Sequence, residues 1–362
     1  MAKKGGNFEE VVREYFSRRG FLAIRGVPFQ HLANDVTDID LWLYGKQPSG
    51  FRLRAIVDAK NKRSPKAFER ILWVRGLQAI TNSDKSFVAT TDASPTVAKF
   101  GQENQVLVIP SSYLSEVVPD GNGGRLSNEE FEEKIREFKS WKEDGDWIKT
   151  ISRLKSSVLN TSPFQSFNIA CSAFKFFCER IHTRPSHEDI AFRCAMLSAS
   201  FACLALDRGL ENYQFRTAKE RNEAIQYGIA YGDAVDGATK RSIATILDVI
   251  KDHIDGGKPM SSQVKKFFDE LPTSLRADII ADYFADQHHF QDLFRSAREL
   301  ERLAFIIDQG PLELSIETKA ALGVIADFCE VDRRLLKQAF KSKEATGSQS
   351  DTAESSSEPT LI

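Results

Sequence analysis

Two acids and a lysine in the first part of the chain have types and spacing that suit chemistry. Asp58-Ala-Lys60 closes a run of strand-forming residues, and the two-residue period of an extended chain puts both side chains on one face. Asp40 stands 18 residues earlier in a second strand-like run, with a turn between, so it can approach Asp58 across a hairpin. Carboxylates so gathered are hard oxygen ligands for Mg²⁺, or for Mn²⁺ as its substitute. Such an ion polarises a phosphate and lowers the pKa of a bound water, while a lysine orients or deprotonates that water and offsets charge on the phosphorane. The chemistry indicated is metal-assisted phosphodiester hydrolysis.

A helical wheel supplies a fourth member. With Phe8 at zero and about 100° per residue, Val12, Tyr15 and Phe16 fall within roughly 80°, Glu9 at about 100° and Glu10 at about 200°. Glu9 therefore borders the buried face and is expected to reach the cluster, whereas Glu10 is expected to face solvent. Asp38 shares the Asp40 face, either as a further ligand or as a turn-side acid. Arg52 and Arg54 lie on the Asp58 face and, with Lys62, Arg63 and Lys66, offer phosphate contacts or form a solvated basic patch. Arg75, about 340° from Phe68 on a second wheel, either meets a phosphate or snorkels at the core edge. Trp42 and Trp73 read as packing residues rather than base-stacking platforms.

The elements that must position these residues follow from periodicity. Residues 8 to 20 have apolar side chains at helical spacing, with Gly20 where a left-handed cap belongs. Residues 21–25, 36–44 and 51–60 read as strands, the last two joined by the Gly45-Lys-Gln-Pro-Ser-Gly50 turn. A helix over 65–82, a strand over 86–91, a short helix over 95–104 and a strand over 105–109 complete an αβββαβαβ order. Residues 119–126, rich in glycine, read as a linker. Beyond them Ser127-Asn-Glu-Glu130 has the form of a capping box and Ser186-His-Glu-Asp189 a looser one, and helix-period segments continue to about residue 341. The expectation is an α/β domain over 1–118 with a mixed sheet, an all-α accessory domain over 127–341, and a disordered tail over 342–362 without aromatic residues.

Within this order the residues resemble a known family. Thr37-Asp-Ile-Asp40-Leu-Trp-Leu followed by Phe51-Arg-Leu-Arg-Ala-Ile-Val-Asp58-Ala-Lys60 is similar to the signature of the PD-(D/E)XK nuclease superfamily, whose core order is αβββαβ. The leading Asn7-Phe8-Glu9 helix, and Phe87 to Ala98 followed by Val106-Leu-Val-Ile109, are similar to its Mrr-like restriction endonuclease branch. The resemblance spans about residues 5 to 115. It implies a restriction endonuclease-like core, Asp40 and Asp58 as metal ligands, Lys60 as the catalytic lysine and Glu9 as the helix-borne acid. It implies a Mg²⁺-dependent DNA endonuclease in restriction or anti-phage defence. Asp58 departs from the commoner Glu, or the Gln of many Mrr-like proteins, and its shorter arm bears on metal affinity. The reading from a different class is a catalytically silent nucleic-acid-binding or interaction module on the same fold.

Composition sets the remaining bounds. The 362 residues favour two domains, and 41% hydrophobic with 28% charged residues describes an ordinary globular chain. The formal charge of −2 hides an asymmetry: residues 1–118 hold 17 Lys+Arg against 12 Asp+Glu, leaving 32 against 39 for the rest, so only the first part suits a polyanion. Five cysteines with no Cys-x-x-Cys pair, no apolar leader and no long apolar run predict a reduced, cytoplasmic protein without membrane contact. Cys171 and Cys178, seven apart among phenylalanines, read as a buried helix stripe. One active site per chain implies a homodimer for double-strand cleavage, and the helical domain is the expected place for assembly or for a protein partner.

Overall fold

The computed structural model describes residues 4–32, 34–118, 124–232, 238–307 and 314–336. Residues 119–123 of the expected linker and the expected tail over 342–362 lie outside these. The chain forms two compact units, Met1–Thr161 and Ser162–Ile362.

In the first unit, helix α1 (Lys4–Arg18) precedes three antiparallel strands, β1 (Leu22–His31), β2 (Asn34–Lys46) and β3 (Arg52–Lys60). Helix α2 (Ala67–Ile80), β4 (Lys85–Thr90), α3 (Pro95–Glu103), β5 (Leu107–Pro110) and α4 (Ser111–Val117) follow, and β4 and β5 add to β3 in parallel. The result is a mixed sheet of order β1-β2-β3-β4-β5. The expected element order is present. β1 runs beyond residue 25 because it is an edge strand, where Pro28 withholds no ladder bond from a second neighbour. Gly20 has the positive φ of 90° that ends α1.

Side-chain alternation sorts the sheet. Leu41, Leu43, Ala55, Val57 and Ala59 form a core with Phe8, Val12 and Phe16 of α1. Asp58 and Lys60 alternate with those residues, so they point to the opposite face, where α2 meets them.

The first unit extends past the expected boundary. Helices α5 (Asn128–Glu137) and α6 (Trp147–Asn160) pack with the sheet rather than with the later helices. The Asn160 amide donates to the Pro28 carbonyl at 3.0 Å and accepts from the Gln30 N–H at 3.1 Å. Glycine-rich composition marks a break in regular structure, whereas a domain ends where its contacts end. The Ser127–Glu130 capping box is present as read: the Ser127 hydroxyl accepts from the Glu130 N–H at 3.2 Å, and the Glu130 carboxylate accepts from the Ser127 N–H at 2.7 Å.

The second unit is helical throughout its described elements: α7 (Pro163–Thr183), α8 (Glu188–Gly209), α9 (Ala218–Tyr231), α10 (Ala238–His253), α11 (Gly257–Ser274), α12 (Asp278–Phe284), α13 (Gln287–Phe305) and α14 (Ile316–Phe328). The looser cap expected at Ser186 is absent, because Pro185–His187 form a single 3-10 turn and α8 starts without a side-chain cap. Among the described residues one helical stretch, Pro185–Gly209, is long and apolar enough to cross a membrane, and 94% of its apolar window is buried inside the protein. It is a core helix packed between α7 and α13. Cys171, Phe174, Phe177 and Cys178 are buried in α7 as the stripe predicts, and burial pushes both thiols well up.

Candidate active site

The β2–β3 register brings the predicted acids together. Leu41 pairs with Val57, so Asp40 and Asp58 stand at the next step of the ladder, at the end away from the hairpin turn. Asp40 Oδ2 accepts from the Ala59 N–H at 2.8 Å and from the Lys60 ammonium at 2.9 Å. Lys60 Nζ is 3.7 Å from Asp58 Oδ1. Arg70, in the first turn of α2, donates from Nε to Asp58 Oδ2 at 2.8 Å and from a second guanidinium nitrogen to Oδ1. The Asp58 side chain is 1% exposed, against 16% for Asp40 and 26% for Lys60. Asp58 thus closes its strand as a buried residue.

The electrostatics follow from crowding. Burial raises the pKa of Asp40, and the Asp58 charge adds to this, although Lys60 opposes it. Burial favours a neutral Lys60, yet the Asp40 ion pair outweighs it and holds the ammonium above its ordinary range. Lys60 is therefore charged at neutral pH, which suits stabilisation of charge and not proton abstraction. Burial also raises Glu9, and the charge of Asp40 contributes in the same direction, but the carboxylate is bonded to Arg25 at 2.7 Å rather than to the Asp40–Lys60 group.

Glu10 corrects the wheel. It is 2% exposed, accepting from Arg13 Nε at 2.6 Å, Arg25 at 2.8 Å and the Asn128 N–H at 3.0 Å. The start of α5 covers the side of α1 that the wheel left to solvent. Arg25 is the hub of this group, donating to Glu9 at 2.7 Å and through both terminal nitrogens to Glu129 at 2.6 Å each. Lys155 of α6 donates to the Arg25 carbonyl at 3.1 Å, and burial lowers its pKa to about 8.

The expected phosphate-contacting residues do not all gather. Lys62, Arg63 and Lys66 are exposed just beyond Lys60. Arg52 shares the Asp58 parity but pairs with Lys46 near the hairpin turn, about 20 Å along the strand at roughly 3.3 Å per residue. It is buried and donates to the Gly50 carbonyl, so it braces the turn; strand parity assigns a face and not its exposure. Arg54 lies 3.6 Å from Asp84. Arg75 donates to Gln78 and Gln105 at 2.9 Å each, tying α2 to the turn before β5. Asp38 is exposed, but it lies within β2 opposite Pro28 rather than at a turn. Trp42 is buried and stacks on Tyr44, while Trp73 lies under the Arg70 guanidinium at 4.2 Å.

Arg70 is the residue that the sequence reading missed. The wheel centres on Phe68, which is exposed, whereas the buried stripe is Ala67, Ile71, Val74, Leu77 and Gln78. With Ala67 at zero, Arg70 falls at about 300°, between Leu77 at about 280° and Val74 at about 340°, inside the buried arc.

The carboxylates suit a hard divalent cation in donor chemistry, and their mutual repulsion is what such an ion relieves. Among the described residues, however, no three His, Cys, Asp or Glu side chains are grouped to hold a metal. Asp40 and Asp58 are two such donors, while Glu9 is bonded to Arg25 and both oxygens of Asp58 are held by Arg70. A pair of carboxylates is what Mg²⁺, which keeps several of its waters, takes from a protein, and Asp58 is open to it only when Arg70 moves away. Comparison of the chain with protein-family models, with curated proteins and with solved structures found no match.

Proposed function

We propose that the first unit is a Mg²⁺-dependent DNA endonuclease of the PD-(D/E)XK type, similar to the Mrr-like branch, with Asp40, Asp58 and Glu9 as metal-binding acids. The observation that carries the reading is Lys60 lying 2.9 Å from Asp40 and 3.7 Å from Asp58, at the shared end of the two strands that the signature names. The bound ion would supply Lewis-acid polarisation of a phosphate and a water of lowered pKa. The Ala59 N–H fixes the Asp40 carboxylate in orientation. Lys60, held as an ammonium, stabilises negative charge that grows on the phosphate oxygens. Glu9, the helix-borne acid, would join Asp40 and Asp58 as a ligand on leaving Arg25, to which it is bonded at 2.7 Å. Lys62, Arg63 and Lys66 are placed to contact flanking phosphates.

Since one site cuts one strand, double-strand cleavage would take two copies, and a cytoplasmic homodimer in restriction or anti-phage defence belongs to the same proposal. A second reading, a silent nucleic-acid-binding module, is favoured by one observation: Arg70 already occupies Asp58. The two readings separate in a cleavage assay with supercoiled, linear and single-stranded DNA in Mg²⁺ or Mn²⁺. The enzyme reading expects nicking or linearisation by the full chain and none by Lys60→Ala. DNA binding without cleavage in either ion would establish the silent module instead.

A further inference from the structure

We infer that Arg70 is the resident counter-cation of Asp58, which a divalent ion must displace to reach that carboxylate, so that Arg70 sets the metal affinity of the site. The inference rests on the nuclease reading and deepens it.

A carboxylate as buried as Asp58 must be compensated, and Lys60 does not do this, being 2.9 Å from Asp40 but 3.7 Å from Asp58. Arg70 does, through a fork that meets both oxygens of Asp58. Asp40 and Asp58 therefore already face two positive charges, the charge that a divalent ion would bring. An ion entering with both cations in place would leave excess positive charge in a half-buried pocket, so one cation must give way.

The geometry points to Arg70 as the one that leaves. Lys60 belongs to the same strand as Asp58 and is held to Asp40, which the Ala59 N–H also fixes. Arg70 comes from a different element and holds both oxygens of Asp58, so an ion that reaches this carboxylate must take its place. It lies in the first turn of α2, where the positive end of the helix disfavours a cation. The Trp73 ring, 4.2 Å beneath its guanidinium, adds to what holds it in this position and is part of what an entering ion must overcome.

The test uses the full chain stripped with EDTA and titrated calorimetrically with Ca²⁺. Arg70→Ala should bind Ca²⁺ about tenfold more tightly than the wild type, the scale on which residues behind metal ligands act. Arg70→Lys, which keeps the charge and loses the fork, should fall between. Thermal melting in EDTA and in Ca²⁺ provides a second readout: Arg70→Ala should melt lower in EDTA and be raised by Ca²⁺ more than the wild type. Arg70→Gln replaces it if the alanine variant does not fold. Unchanged or weaker Ca²⁺ affinity on removing the arginine overturns the inference, including the case in which neither protein binds the ion. The nuclease reading fails separately, through wild-type cleavage by Lys60→Ala.

Discussion

Around Arg25 one guanidinium serves three carboxylates, Glu9, Glu10 and Glu129, and it is 6% exposed with the start of α5 closed over it. Around Asp58 two carboxylates meet two cations, Lys60 and Arg70, each about a quarter exposed. The same residue types serve different ends in the two places. Arg25 is surrounded by acids from α1 and α5 and has nowhere to go, so its group ties elements together. Arg70 forks onto Asp58, stacks on Trp73 and is a quarter exposed, so on the inference above its group is the one that an entering ion exchanges. Glu9 is the link between them, bonded to Arg25 and influenced by the charge of Asp40.

The sharpest way to break this contrast is Arg25→Ala, which strands buried acids. It should cost about 3–5 kcal/mol of stability, the scale for removing one partner from a buried ion pair. Urea unfolding of the full chain measures this, and a loss under about 1 kcal/mol would make the Arg25 group a surface feature after all. On the nuclease reading Lys60→Ala should do the reverse, costing less stability than Arg25→Ala because its pair with Asp40 is partly exposed, while cleavage falls by roughly 10² to 10³ or more. Asp58→Ala lies between: cleavage is lost, and stability falls by about 1.5–3 kcal/mol as Arg70 loses a charged hydrogen-bond partner.

Acid dependence sharpens the role of Glu9. With Glu9 and Asp40 both raised, cleavage that needs them ionised should fall off at a higher pH than ordinary carboxylates would set. The stability effect has the opposite sense. The native state holds protons on these acids that the unfolded chain has released, so between the ordinary and the raised values stability increases as pH falls. Glu9→Gln should weaken that trend and move the acid limb of the rate profile; an unmoved limb would detach Glu9 from the chemistry. The smallest effect is expected at Lys155, whose pKa is lowered to about 8. From there to its ordinary value of 10.5 the unfolded chain binds the extra proton, so the lysine contributes stability that rises with pH. Lys155→Met should lack this rise when the two proteins are unfolded in urea at pH 8 and pH 10.

Much of the first unit was legible before any coordinates. The αβββαβαβ order, the β2–β3 hairpin, the capping box at Ser127 and the meeting of Asp40, Asp58 and Lys60 all depend on local periodicity and turn chemistry, which short stretches of chain carry in full. The wheel places Glu9 at the border of the core, and there it lies, 21% exposed and paired with Arg25. The same wheel failed for Glu10, since it cannot know that α5, more than a hundred residues away, covers the far side of α1. It fails for Arg70 because Phe68, apolar by type, is exposed and does not mark the buried face.

What the sequence by itself determined is therefore the set of acids and the lysine, and the strands that carry them. Only the tertiary structure decided how those acids are compensated: Arg25 and the start of α5 at Glu9 and Glu10, and Arg70 at Asp58. It also decided that the first unit runs to Thr161. The physical reason is range. Strand parity and helix phase are properties of neighbours in the chain, while the charge that neutralises a buried carboxylate can come from any element that packs against it.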